Sequence, residues 1–367
     1  MTMVLKVPLH DLLIELGGDM GEFAGFKTAM SFGDPINEHL AVRREAGLFD
    51  ISHMGRIYLS GGDVYKLLDA LIPKDLSKSS DNKMFGPTAF LNERGGFRDD
   101  VMLYRFKEDH WLIVCNAVNR EKIFSWLRDW RERLGFSNVD IKDLTLEKPM
   151  LAFQGPKARD YIEKIKGLKD ATYLEPLTFL RDVETEFGRI DIISRSGWTG
   201  EDGFEIIGEP DVLAKIMRYF KGQEIRLAGL IARDTLRLEM GYVLYGNDID
   251  ENINPLEARY WVFDEKKSGC VGCDALREIG KKGVEKIRYG IRMKKGVKMI
   301  PRHGYEIIYQ GEVVGYVTSG GYSPTLERGI GMGYIRSSHA LPGLDVEIRY
   351  RDRVAEAKIL DFPLIKR

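Results

Sequence analysis

The pattern that most constrains the fold is a change in periodicity near residue 283. Before that point, strand-like and helix-like segments follow each other without a regular strand–helix–strand repeat. After it only strand patterns remain, in "KIRYGIRM", "GYEIIYQGEVVGYVTSG" and "LDVEIRYRDRVAEAKIL". The sequence therefore predicts an α+β fold that ends in a small antiparallel β domain, rather than a doubly wound parallel sheet.

Composition limits the function classes. A chain of 367 residues is long enough for two or three domains, and its formal net charge is −1, from 55 Lys+Arg against 56 Asp+Glu. This balance argues against a nucleic-acid-binding protein, which normally has a basic excess. No signal peptide or apolar stretch of membrane-spanning length is visible, so we expect a cytoplasmic protein without a membrane partner.

Several familiar motifs do not apply. The glycine-rich segments at 17–25 and 329–335 lack the spacing of phosphate-binding or dinucleotide-binding loops. The six histidines have no zinc-like spacing, so no metal is predicted. The segment "CVGC" (270–273) has no thioredoxin-like context, and we interpret its cysteines as two small residues at a helix entry, with a labile regulatory disulfide as the alternative.

Two adjacent acids, Asp99 and Asp100, stand where a strand begins after the "NERGG" turn. Successive side chains of a strand face opposite sides, so Asp100, Met102 and Tyr104 share one face and Asp99 belongs to the other. Only one of the two acids can therefore face a given cavity. Asp after Gly-Gly is common in turns, and Asp99 is expected to complete the turn or to form a solvent-exposed salt bridge.

Other charged residues interrupt elements that are otherwise typical of a core. Glu205 lies between Phe204 and Ile206 in a predicted strand, where a carboxylate needs a ligand or a partner such as a core arginine. Arg233 and Arg237 are four residues apart, on one face of a predicted helix. Guanidinium groups bind carboxylates well, so these positions are candidates for a ligand site or for structural ion pairs.

Five segments in chain order carry a family resemblance, collinear from about residue 8 to the C-terminus. They are "EHLAVRREAGLFDISHMG" (38–55), "NERGGFRDDVMLY" (92–104), "SRSGWTGEDGFEI" (194–206), "IARDTLRLEMGYVLYGND" (231–248) and "GYVTSGGYSPTLERGIGMGYI" (315–335). Together they resemble the glycine cleavage system T-protein family, the tetrahydrofolate-dependent aminomethyltransferases. The resemblance implies three domains around a central cavity. Two of them are α+β, the first discontinuous (1–53 with 147–265) and the second at 54–146, and a C-terminal β-barrel-like domain spans 280–367.

The resemblance also implies a site. Asp100 is the implied catalytic residue, which contacts the pterin end of the folate. Glu205 and Arg233 are the implied pterin-binding and ligand-binding groups, whereas Arg237 and Glu239 are expected in structural ion pairs and His53 is not expected to act as a base. The full set of implied folate-binding residues is Met54, Asp100, Met102, Tyr104, Trp198, Glu205, Arg233, Tyr242, Arg302 and Arg367.

The implied reaction moves an aminomethyl carbon from the lipoyl arm of H-protein to tetrahydrofolate and releases ammonia. The sequence departs from the family at Pro87, usually a tyrosine, at Trp198, usually a smaller aromatic residue, at residues 25–29, and at Cys273, usually a basic residue. One alternative is therefore a folate-dependent demethylase or methyltransferase that acts on a free small molecule without H-protein. A second is a non-catalytic folate-binding protein that assists iron–sulfur assembly.

Overall fold

The computed structural model describes residues 4–366, which form two compact units. Unit 1 comprises residues up to 71, 75–88 and 99–233, and unit 2 comprises 72–74, 89–98 and 234 onwards. The division into three domains stays a prediction. The α+β class is confirmed, because both units contain strands and helices.

The strands are β1 (Leu5–Lys6), β2 (Asp19–Phe23), β3 (Phe26–Ser31), β4 (Gly47–Asp50), β5 (Gly55–Ser60), β6 (Lys83–Leu91), β7 (Phe97–Lys107), β8 (His110–Cys115), β9 (Asp140–Asp143), β10 (Met150–Gln154), β11 (Phe179–Thr185), β12 (Gly188–Ser194), β13 (Gly203–Gly208), β14 (Arg226–Leu227), β15 (Lys286–Met293), β16 (Glu306–Tyr309), β17 (Glu312–Ser323), β18 (Arg328–Arg336), β19 (Asp345–Tyr350) and β20 (Arg353–Leu360).

The helices are α1 (His10–Glu15), α2 (Pro35–Arg44), α3 (Val64–Leu71), α4 (Arg120–Arg133), α5 (Ala158–Ile162), α6 (Pro210–Gly222), α7 (Leu230–Met240), α8 (Pro255–Ala258) and α9 (Cys273–Lys282). Short 3₁₀ turns lie at Leu76–Lys78, Ala117–Asn119, Lys169–Tyr173 and Ser337–His339.

Unit 1 contains two larger sheets that position the candidate site. One has the order β11-β12-β13-β10-β4-β14, and the other has the order β6-β7-β8-β5-β9, in which the ends of β6 and β7 nearest their turn belong to unit 2. The first sheet packs against α6, where the rings of Phe153 and Phe220 stack with centroids 4.3 Å apart. In α3 the apolar face points into the core, since Val64, Leu67 and Leu68 are fully buried.

Unit 2 contains the predicted antiparallel β domain. Six strands close into a barrel in the order β15-β18-β17-β16-β19-β20, with antiparallel pairing throughout. Alternating apolar side chains fill the interior, among them Ile291, Ile307 and Ile348, all fully buried. Because apolar side chains alternate along these strands, the antiparallel β domain could be predicted from the sequence.

The interpretation of "CVGC" as two unlinked small residues is wrong. Cys270 and Cys273 form a disulfide at the start of α9, with their Cα atoms 5.3 Å apart. Gly272 adopts a left-handed backbone conformation with φ of 77°, and the Cys273 N–H donates to the Cys270 carbonyl at 3.2 Å. This tight turn brings the cysteines within disulfide range, which their spacing alone does not reveal.

Candidate active site

The predicted catalytic residue, Asp100, lies on β7 opposite the end of β8. Register pairs Met102 with Val114, so the next facing pair toward the strand end is Asp100 and Asn116. The Asn116 Nδ2 donates to the Asp100 carboxylate at 2.7 Å and to its carbonyl at 3.2 Å. The Asn116 amide therefore orients the Asp100 carboxylate. Asp100 is half-buried, and part of the residue stays accessible.

The expected surface role of Asp99 is wrong. Its carboxylate is fully buried and accepts hydrogen bonds from the Asn116 N–H (3.0 Å), the Asn116 Nδ2 (2.8 Å) and the Asn119 Nδ2 (2.6 Å). Burial, followed by the nearby charge of Asp100, raises the pKa of Asp99 well above its usual range. Strand alternation does separate the two acids, but the Asn116 amide binds both.

The "NERGG" turn is closed by another side chain. Within unit 2, the Asn92 Oδ1 accepts from the backbone N–H groups of Arg94 and Gly96, each at 3.0 Å. An asparagine that satisfies the backbone two and four residues ahead is typical of tight turns. The turn therefore does not need the Asp99 carboxylate, and the position of Asp99 in β7 directs it inward instead.

Glu205 lies in the middle of β13, as predicted. Phe204 and Ile206 belong to the hydrophobic core, so Glu205 projects from the opposite face of the sheet, where it is 9% exposed. Across the β12–β13 pair it faces Ser194. The Ser196 hydroxyl donates to its Oε2 at 2.6 Å. Burial raises the pKa of Glu205, whereas the charge of Arg233 and the Ser196 hydrogen bond lower it.

A chain of hydroxyl groups connects Glu205 with Tyr104. The Ser196 and Ser194 Oγ atoms are 2.8 Å apart, and the Ser194 Oγ lies 3.1 Å from the Tyr104 hydroxyl. Tyr104 is fully buried, and burial followed by the charge of Glu205 raises its pKa. The structure thus brings two of the predicted site residues, Tyr104 and Glu205, into one polar network.

Two side chains whose charges or burial are coupled to this site each have a buried nitrogen atom without a hydrogen-bond partner among residues 4–366. They are the Arg233 Nη1 and the His53 Nδ1. Burial lowers the pKa of Arg233, while the charge of Glu205 raises it. Burial, followed by the charges of Arg233 and Arg56, lowers the pKa of His53 to about 3. The imidazole therefore stays neutral at mildly acidic pH, where an exposed histidine would be protonated.

The segment that carries His53 and Met54 is held by a buried arginine. The Arg56 guanidinium donates to the carbonyls of Ser52, Met54 and Thr145. Met54 is half-buried. These bonds fix the backbone on which both side chains are presented.

Trp198 lies half-buried in the loop between β12 and β13, and that loop is tightly restrained. Arg195 forms a two-pronged ion pair with Asp202, with nitrogen–oxygen distances of 2.8 and 2.9 Å. The Thr199 hydroxyl donates to the Gln154 Oε1 at 3.0 Å. Trp198 therefore stands on a rigid support.

Met102 is half-buried on β7, two residues after Asp100. Its Sδ approaches Gly86 so closely that a Cβ at that glycine would lie only 2.8 Å away. Gly86 also has φ of 152°, which strongly favours glycine. Met102 is thereby held against β6 on the Asp100 side of the strand.

Three other predicted residues lie outside unit 1 or outside the described residues. Tyr242 and Arg302 belong to unit 2: the Tyr242 carbonyl accepts from the Arg237 Nη1 at 3.0 Å, and the exposed Arg302 donates to the Gly320 carbonyl at 3.2 Å. Arg367 lies outside the described residues. Their folate-binding roles stay predictions.

Arg237 has the structural role that was predicted for it. Within unit 2 its guanidinium pairs with Asp234 and Asp248, each at 2.7 Å, and donates to the Ser319 hydroxyl at 3.0 Å. Glu239 accepts hydrogen bonds from the hydroxyl groups of Ser323 and Thr325.

Sequence reasoning missed several residues of the site. Asn116 and Asn119 follow the apolar strand "HWLIVC", and polar amides directly after a buried strand were a usable signal. Ser194 and Ser196 precede the glycine-rich turn, and hairpin pairing around that turn places Ser194 opposite Glu205. The partnerless nitrogen of His53 had no sequence signal.

A separate cleft of about 200 Å³ lies elsewhere in unit 1, and none of the predicted site residues lines it. Its cations are already engaged: Lys148 pairs with Asp191 at 2.8 Å, and Arg181 stacks 4.3 Å above the Phe106 ring. Over residues 4–366 no group of three or more His, Cys, Asp or Glu side chains is placed to hold a metal ion. Within the same range no helix is both long and apolar enough to cross a bilayer.

Comparison with known proteins agrees with the resemblance. Residues 9–267 match the family model of the GCVT N-terminal domain, and residues 286–366 match that of the glycine cleavage T-protein C-terminal barrel domain. A probable aminomethyltransferase of Aeropyrum pernix is 42% identical, covering 97% of this chain and 96% of its own, and the aminomethyltransferase of Thermoanaerobacter pseudethanolicus is 40% identical with the same coverage.

A solved structure gives the same answer for the fold. The glycine cleavage system aminomethyltransferase T of Bartonella henselae superposes with a TM-score of 0.86 at 29% identity, covering 99% of this chain and 98% of that one. With both family models and full-length relatives in agreement, the chain belongs to the glycine cleavage T-protein family, an enzyme family whose named members are aminomethyltransferases.

Proposed function

We propose that this aminomethyltransferase uses tetrahydrofolate as co-substrate and takes its aminomethyl group from the lipoyl arm of H-protein, with release of ammonia. The observation that carries the proposal is a pair of buried nitrogen atoms that lack a hydrogen-bond partner among residues 4–366. They are the Arg233 Nη1, on a guanidinium whose charge acts on the buried Glu205 carboxylate, and the His53 Nδ1, on an imidazole that feels the charge of Arg233. Buried polar atoms are normally hydrogen-bonded, so a cluster of unsatisfied ones favours a polar ligand.

The chemistry of these groups fits a reduced pterin. Its aminopyrimidine edge presents N–H donors that a carboxylate such as Glu205 can accept, and its carbonyl can accept from the Arg233 guanidinium. Ser196 holds the Glu205 Oε2 at 2.6 Å, which reduces the freedom that a binding group would lose. Tetrahydrofolate, when bound, supplies the nitrogen atoms that accept the one-carbon unit.

Asp100 is the proposed catalytic residue. Its carboxylate is oriented by the Asn116 amide, and a negative charge in this position stabilises positive charge that develops at a folate nitrogen. It also accepts a proton within hydrogen-bond reach. The buried Asp99 completes the support, because its carboxylate accepts from the Asn116 backbone N–H and from the same Nδ2 that donates to Asp100, which fixes that side chain.

The partner and the compartment belong to the same proposal. H-protein is proposed because the chain matches the whole length of glycine cleavage T-proteins, including the C-terminal barrel. We also propose a cytoplasmic enzyme without a metal. The three-domain division and the full set of folate-binding residues from Met54 to Arg302, together with Arg367 outside the described residues, belong to the proposal as well.

The test replaces Asp100 by asparagine. We predict that Asp100→Asn lowers the rate of ammonia release from aminomethylated H-protein and tetrahydrofolate by about 10²–10⁴-fold, the range expected when a positioned acid–base group is lost. Circular dichroism and the unfolding midpoint should stay close to those of the wild type. Asp109→Asn, at the exposed far end of the same hairpin, is the matched control and should keep full activity.

Three outcomes overturn parts of the proposal. Full activity of Asp100→Asn removes the catalytic role of that residue. Wild type that binds tetrahydrofolate but shows no turnover with H-protein favours a demethylase or methyltransferase that acts on a free small molecule. Wild type that binds no reduced folate contradicts the proposed function as a whole.

A further inference from the structure

The disulfide between Cys270 and Cys273 has no part in the proposed chemistry, but the backbone between its two cysteines packs closely against Leu91 and Asn92. A Cβ added at Gly272, between the two cysteines, would lie 2.5 Å from the Asn92 carbonyl oxygen and 2.8 Å from the Leu91 side chain. The backbone of the cysteine turn therefore sits directly on the end of β6. All of these residues belong to unit 2.

The first helical turns of α9 also pack against the loop that follows β6, at Gly95. A Cβ at Gly95 would lie 3.3 Å from the Leu276 backbone nitrogen and 3.4 Å from the Ile279 side chain. The Asn92 side chain, which closes the turn, also donates to the Glu251 carbonyl at 2.9 Å. The segment Ala89–Arg98 is thus held on one side by α9 and on the other by the chain near Glu251.

We propose that Cys270 and Cys273 form a reversible dithiol–disulfide site, reduced by a small or protein dithiol, whose oxidised form clamps the Gly95–Gly96 turn. Such a short link closes a loop of only four residues, so it restrains the unfolded chain far less than a long-range disulfide would. Its main effect is local, on the turn that rests against it. Strand β7, which carries Asp100, begins immediately after that turn.

The two sulfur atoms differ in a way that sets the direction of exchange. Cys270 is 9% exposed and follows the exposed Ser268 and Gly269, whereas Cys273 is 4% exposed and is the first residue of α9. Thiolates are stabilised at a helix N-terminus, so Cys273 is the better leaving group. Attack is therefore expected at the Cys270 sulfur.

The exchange balances as an ordinary two-electron transfer. A thiolate of the reductant attacks the Cys270 Sγ, the bond between the two protein sulfurs breaks, and Cys273 leaves as a thiolate. The second thiolate of the reductant then attacks the reductant sulfur that is bonded to the Cys270 Sγ and expels the Cys270 thiolate. The reductant ends as a cyclic disulfide, and its two thiol protons are balanced by protonation of the two cysteines.

The experiment equilibrates the folded full chain with graded ratios of reduced and oxidised dithiothreitol and then blocks free thiols with iodoacetamide. After digestion, the masses of the cysteine peptides are measured by mass spectrometry. We expect Cys270 and Cys273 to pass together and reversibly from disulfide to two labelled thiols. Cys115, which is fully buried, serves as the internal control and should stay unlabelled. A pair that stays oxidised until the protein unfolds, or one that stays reduced in excess oxidant, overturns the proposal.

Hydrogen exchange tests the clamp itself. The Gly96 N–H, which donates to Asn92, should exchange about tenfold faster in the reduced protein, since a loosened turn opens locally more often. The Cys270→Ser/Cys273→Ser double variant should match the reduced wild type, and the barrel amide of Ile348 should not change. Equal exchange at Gly96 in both redox states contradicts the clamp. Neither readout uses folate or a carrier protein, so the outcome is separate from that of the proposed function.

Discussion

Helix α7 carries two arginines, the half-buried Arg233 and the buried Arg237, whose guanidinium groups are in opposite situations. The Arg237 guanidinium is saturated: Asp234, Asp248, Ser319 and the Tyr242 carbonyl engage its nitrogens. Arg233 feels the charge of Glu205 but leaves its buried Nη1 without a hydrogen bond among residues 4–366. We propose that this difference separates an arginine that holds the fold from one that is available to a ligand.

The adjacent acids differ in burial. Asp99 is fully buried and receives three hydrogen bonds from Asn116 and Asn119, whereas Asp100 is half-buried and shares the Asn116 amide with it. The fully buried Asp99 supports the Asn116 side chain. Its neighbour is the one assigned to chemistry.

The largest expected stability effect is at the saturated arginine. Arg237→Met leaves Asp248, whose side chain is fully buried, without its cation, and should lower the free energy of unfolding by about 3–5 kcal/mol. Denaturant titration followed by circular dichroism measures this change. A loss below about 1 kcal/mol would show that the saturated arginine does not hold the fold, and the contrast with Arg233 would disappear.

His53 offers a pH-dependent test of the unsaturated region. Its folded-state pKa of about 3 lies below the ordinary value of 6.5. Between these two pH values the unfolded chain binds a proton that the native protein does not bind. Its contribution to stability is therefore complete above pH 6.5 and is lost as the pH falls toward 3. Between pH 7 and pH 5 the wild type should lose roughly 2 kcal/mol of unfolding free energy relative to His53→Asn.

The comparison of the two proteins at each pH removes the opposing effect of Asp50, whose pKa burial raises to about 6. If the stability difference between wild type and His53→Asn stays constant from pH 7 to pH 5, the imidazole is not buried in its neutral form.

A smaller effect is expected where a hydroxyl orients the site. Ser196→Ala removes the hydrogen bond to the Glu205 Oε2, and should weaken tetrahydrofolate binding by about 1 kcal/mol, or roughly fivefold. Isothermal titration calorimetry measures the change in Kd. Ser125→Ala, at an exposed position of α4, is the control that should bind as the wild type does. Unchanged binding in Ser196→Ala would contradict the orienting role of the Ser196 hydroxyl.

The parts of the fold that sequence could predict are those governed by local periodicity. Alternation identified the barrel strands and placed Glu205 on a strand, and it assigned Asp99 and Asp100 to different faces of β7. The partners of those side chains could not be predicted. Asn116 reaches the two acids only because β8 returns beside β7, and Ser196 reaches Glu205 only through the closed geometry of its loop.

Two wrong expectations have the same cause. Asp99 was expected at the surface because Gly-Gly turns commonly end in an acid, but Asn92 already satisfies that turn. The disulfide depends on the left-handed conformation of Gly272, which the spacing of the cysteines does not specify. In both cases a backbone conformation or a long-range partner decided between alternatives that were equally compatible with the local sequence.

The most direct test of the central claim is calorimetric titration of tetrahydrofolate into wild type and Arg233→Met, with the stability of both measured in the same buffer. Loss of a charged hydrogen bond should weaken binding by about 1.5–3 kcal/mol, more than tenfold, while the free energy of unfolding changes by no more than about 1 kcal/mol. If Arg233→Met binds folate as tightly as the wild type, or is as unstable as Arg237→Met, then the unsaturated arginine is not a ligand-binding group.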